Sequence, residues 1–83
     1  MKTIKQQWEG YERKVVPPEA GQAQRSETRQ AFYSGALVIL NSLHQIGEMP
    51  EETGISTLNA LRDEVQEYIL TLIADYVERL RKK

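Results

Sequence analysis

Arg25, Arg29 and Tyr33 stand at i, i+4 and i+8, a spacing that lines three side chains along one face of a helix. Trp8 and Tyr11 stand three apart further upstream, Phe32 adjoins Tyr33, and Gln22, Gln24 and Thr28 add neutral hydrogen-bonding groups. These types suit a ligand that is both anionic and flat. Guanidinium groups grip phosphate through paired hydrogen bonds and keep their charge at any physiological pH. Aromatic faces stack on bases, by about 1–3 kcal/mol per base, while amides and hydroxyls read base edges or ribose hydroxyls. A nucleotide uses all of these together. The residues divide accordingly: Arg25 and Arg29 for phosphate, Trp8 and Tyr11 for stacking, Gln24, Thr28 and Tyr33 for hydrogen bonds. A plainer reading stands beside this one. Trp8 and Tyr11 can be the apolar face of a helix, Phe32 is core, and Arg25 and Arg29 can pair with Glu27 or Glu12 on a solvated surface, where such pairs contribute little.

Nothing in the chain points to catalysis. His44 is the sole histidine and there is no cysteine, so neither a metal-ligand spacing nor a thiol nucleophile is available. Asp63, Glu64 and Glu67 read as a solvated acidic face. There is no glycine-rich phosphate loop and no nucleophile–base pair. The expectation is a binding protein, not an enzyme, with no cofactor and no metal.

The elements that must position the candidate site are helices. The first runs from about Lys2 to Val15, with Ile4, Trp8, Tyr11 and Val15 sharing a face, and the Val16-Pro17-Pro18 run breaks it. The second begins between Glu19 and Ser26 and runs to about Ile46 behind an apolar stripe of Phe32, Ala36, Ile39, Leu40, Leu43 and Ile46, with Gly47 as its stop and Pro50 beyond. Leu37 and Val38 widen the stripe. Gly35, among Ala31, Ser34 and Ala36, suggests close approach by another helix or a ligand. The third begins at Pro50 or after Gly54 and runs to about Arg81, with apolar residues every three or four positions from Ile55 to Leu80, a second ridge at Ile73 and Val77, and cations at Arg79, Arg81, Lys82 and Lys83. The predicted fold is all-α: a long helical hairpin of the second and third helices, with the shorter first helix laid across it.

With 83 residues the chain forms one small domain spanning 1–83, and 11 Lys plus Arg against 12 Asp plus Glu leave a net charge of −1. That balance argues against general nucleic-acid binding. No apolar run reaches membrane-spanning length, and Met1 to Gln7 has no apolar signal core, so a cytoplasmic, membrane-free protein is expected. So small a core supplies only a few kcal/mol of net stability, which predicts a homo-oligomer with the site at or near a subunit boundary.

The stretch from Trp8 to Ala36 resembles a group of short phage and prophage proteins with the pattern W-x-x-Y, V-x-P-x-A, Q-x-x-E-x-R-x-A-F-Y-x-G-A. The matching positions are Trp8, Tyr11, Val16, Pro18, Ala20, Gln24, Glu27, Arg29, Ala31, Phe32, Tyr33, Gly35 and Ala36. More loosely, the layout is similar to the hairpin family of phage anti-CBASS sponges, which sequester cyclic oligonucleotide immune signals without cleaving them and hold them between protomers. The resemblance places Tyr11, Pro18, Gln22, Arg25, Thr28 and Arg29 in the comparable stretch. Where that family has Tyr-His before the prolines and Lys after them, this chain has Val15-Val16 and Glu19, so the electrostatic task falls on Arg25 and Arg29. The resemblance implies a phage anti-defence protein in the bacterial cytoplasm. The alternative is a helical protein-interaction module, either an inhibitor of a host defence protein or a minor phage structural component.

Overall fold

The computed structural model describes residues 1–82; Lys83, last of the expected C-terminal cations, lies outside them. The chain is all-α, with helices α1 (Ile4–Val15), α2 (Gln22–Gly47) and α3 (Glu51–Arg81), and no strand occurs among the described residues. It divides into two compact units, Met1–Ser42 and Leu43–Lys83.

In the first unit α1 begins later than Lys2 because Thr3 caps it. The Thr3 hydroxyl accepts from the Gln6 backbone N–H at 3.1 Å, and the Gln6 side chain accepts from the Thr3 N–H at 3.0 Å. This reciprocal capping satisfies two otherwise orphaned donors. The helix ends at Val16, whose extended backbone (φ −83°, ψ 121°) is what a residue before proline adopts. That change of direction also alters which valine is buried. Helical extrapolation places Val15 on the Trp8 face, but Val15 is exposed and Val16 is buried. A turn closed by the Ala20 N–H on the Pro17 carbonyl (3.0 Å) leads into α2. There Trp8, Tyr11 and Phe32 form a triangle of rings with centroids 5.4–6.0 Å apart, and Phe32 meets Tyr33 edge-on at 6.1 Å. Tilted contacts of this kind contribute about 0.5–1.5 kcal/mol each beyond burial.

In the second unit α2 ends without a left-handed residue, since Gly47 has negative φ. The Glu48 and Met49 N–H groups donate to the Gln45 and Ile46 carbonyls, tightening the last turn, and Pro50 precludes continuation. Helix α3 starts directly after Pro50, with Glu51 and Glu52 in its first turn where the helix dipole favours them. Gly54 lies inside the helix and is buried: a Cβ there would sit 3.3 Å from the Ile46 carbonyl oxygen. At Gly35, by contrast, no described atom outside its own stretch of helix backbone lies within 4 Å of an added Cβ.

Among the described residues only Trp8 and Val16 are buried hydrophobics. Leu37, Val38 and Leu40 of α2 and Ile69, Ile73 and Val77 of α3 are exposed. No helix is long and apolar enough among the described residues to cross a membrane.

Candidate ligand groove

Two stretches with the same spacing build a groove in the first unit. Lys5, Trp8, Glu9 and Glu12 on α1, and Gln22, Arg25, Ser26 and Arg29 on α2, each follow i, i+3, i+4, i+7, the pattern of one helical face. Between them lies a volume of about 340 Å³, at the lower end of small-molecule sites at about 300–1,000 Å³. Ser26 and Arg29 are also walls of an adjoining hollow of similar size, completed by Gln30 and Tyr33.

The two arginines meet at the groove but do different things. Arg25 is held by its own surroundings. One nitrogen donates to the Pro17 and Pro18 carbonyls at 3.1 and 3.2 Å, and the other approaches a Glu12 carboxylate oxygen at 3.5 Å. It fastens the proline turn and ties α1 to α2. Glu12 is one of the two carboxylates the sequence offers as a partner. Arg29 has no carboxylate within 4.0 Å among the described residues; its guanidinium carbon lies 5.5 Å from the centre of the Tyr33 ring. An exposed cation over a ring in this way gains about 0.5–1 kcal/mol, and its hydrogen-bond donors stay available.

The other candidate residues are distributed around this pair. Trp8 contributes to the groove wall but is 3% exposed, with Tyr11 and Phe32 against it, so its ring faces serve the core. Tyr11 is partly exposed and borders a different hollow, with Gln6, Gln7, Gly10 and Lys14. The Thr28 hydroxyl donates to the Gln24 carbonyl at 2.8 Å, and neither Thr28 nor Gln24 lines the grooves that Arg29 borders. Of the seven candidate residues, Trp8, Arg25, Arg29 and Tyr33 therefore adjoin one another around the Arg29 site, while Tyr11, Gln24 and Thr28 lie elsewhere.

Lys5, Glu9 and Ser26 are groove residues that the aromatic and arginine pattern did not single out. Their signal was their spacing from Trp8 and Arg25. Three cations against two carboxylates line the groove, and with Arg25 facing Glu12 the charges left for a ligand are those of Lys5, Arg29 and Glu9. Elsewhere, His44 is exposed and approaches Glu48 at 3.3 Å. No cluster of three or more His, Cys, Asp or Glu residues among those described could hold a metal. Comparison with family models, with curated proteins and with solved structures gives no match for this chain.

Proposed function

We propose that this is a non-enzymatic binding protein that captures a phosphorylated, flat small molecule, a nucleotide, beside Arg29. One observation carries the reading: an exposed guanidinium without a carboxylate partner lies over the Tyr33 ring and is the common wall of two adjoining hollows. A phosphate and a base can then be met side by side. Arg29 supplies charge-assisted hydrogen bonds, Lys5 adds a second cation, and Tyr33 offers a ring edge and a hydroxyl. Arg25 keeps the groove walls in place. The resemblance of residues 8–36 to phage proteins, together with the looser likeness of layout to the phage sponge family, supplies the setting, in which a phage anti-defence protein sequesters a cyclic oligonucleotide immune signal intact and works as a homo-oligomer in the host cytoplasm.

Calorimetric titration with cyclic di- and trinucleotides tests this. Heat of binding is expected for the intact protein, with the nucleotide recovered unchanged after heat denaturation. Absence of both heat and a thermal shift across the series contradicts the reading. A second reading, a helical module that docks a host or phage protein, is favoured by the exposed Leu37, Val38, Ile73 and Val77. Under it, substitutions on those faces matter and Arg29→Ala does not.

A further inference from the structure

Large hydrophobic side chains stand in water along α3, nine of them between Val65 and Leu80.

At about 100° per residue, Leu70 and Val77 mark one edge of an apolar arc about 160° wide, Val65 and Leu72 mark the other, and Ile69 and Ile73 lie between. All six are exposed, from 44% at Val77 to 64% at Leu70. Val65, Ile69 and Leu70, with Gln66, line a hollow of about 330 Å³ on this face. The charges beside the arc indicate what covers it. Asp63 and Arg81 stand about five turns apart, and so on the same flank. An antiparallel copy centred near Leu72 faces Val65 with Leu80 and Ile69 with Tyr76, apolar layer against apolar layer. It also brings Asp63 of each copy beside Arg81 of the other, twice per pair. A parallel copy in register sets this flank of the two helices on opposite sides of the seam, so Asp63 and Arg81 do not meet.

We infer that the C-terminal half of α3 is a self-association face on which α3 of a second copy lies antiparallel, with Asp63 and Arg81 paired between copies. This is independent of what the Arg29 groove binds. Light scattering coupled to size exclusion, at micromolar concentration, is expected to give the full-length protein a mass at least twice 9.6 kDa. Asp63→Arg is expected to weaken association by about tenfold or more, because a like pair replaces each opposite pair, each worth about a factor of a few at a solvated rim. Asp63→Arg with Arg81→Asp is expected to restore it. A monomeric wild-type protein overturns the inference and leaves the face to another occupant, a different protein or a lipid surface. An oligomer that Asp63→Arg leaves untouched, or that the double substitution does not restore, overturns the antiparallel arrangement. Arg29→Ala is expected to leave the mass unchanged, so loss of ligand binding and loss of assembly are separately read.

Discussion

Two arginines four positions apart, alike in the sequence, have opposite tasks. Arg25 spends its donors on the Pro17 and Pro18 carbonyls and on Glu12; Arg29 keeps its own. Substitution separates them. Arg29→Ala is expected to lower nucleotide affinity by about tenfold or more, the worth of a charge-assisted hydrogen bond, while the thermal midpoint stays nearly unchanged because the side chain is exposed. Arg25→Ala is expected to cost about 1–2 kcal/mol of stability in urea denaturation, since two carbonyl contacts and a partly screened ion pair are lost. Equal stability for the two variants contradicts this division. Trp8→Ala removes the most buried ring of the core and is expected to cost about 3–5 kcal/mol, comparable to the whole stability of so small a unit. Far-ultraviolet circular dichroism is expected to show lost helicity. That Arg25 and Arg29 diverge could not be read from their spacing, because the backbone carbonyls that engage Arg25 come together only when the proline turn closes.

At the scale of the helices, the elements were legible where local chemistry decides them. Two prolines end α1 through the extended backbone of Val16, and apolar residues at three- and four-residue spacing carry α3 from Glu51 to Arg81. The ends depend on less visible contacts. Thr3 and Gln6 fix the first turn of α1 by reciprocal capping, and α2 closes with tightened carbonyl bonds instead of a left-handed glycine. Thr3→Ala is expected to cost about 1 kcal/mol and to speed amide exchange in the first turn of α1. The glycines offer a contrast. Gly10→Ala meets nothing within 4 Å and is expected to stabilise α1 by about 0.5–1 kcal/mol through helix propensity. Gly54→Ala sets a Cβ against the Ile46 carbonyl oxygen, a backbone atom that cannot swing aside, and is expected to forfeit that gain. A similar rise in thermal midpoint for both contradicts the close contact at Gly54.

For the molecule as a whole, exposure is the dominant fact. A chain whose buried hydrophobics among the described residues are Trp8 and Val16 has little core of its own, and apolar helix faces of this extent call for cover. The sequence carries this message in its size and in the width of the α3 arc. It carries the site less completely: the aromatic cluster and the arginines stand out by type, whereas Lys5, Glu9 and Ser26 belong to the groove only through the face they share with Trp8 and Arg25. Native mass spectrometry of the purified protein, titrated with cyclic di- and trinucleotides alongside Arg29→Ala, tests the central claim most directly. The account predicts wild-type particles carrying intact nucleotide and Arg29→Ala particles that carry far less at the same concentration. A wild-type protein that takes up none of these nucleotides, or a variant that fills equally well, contradicts it.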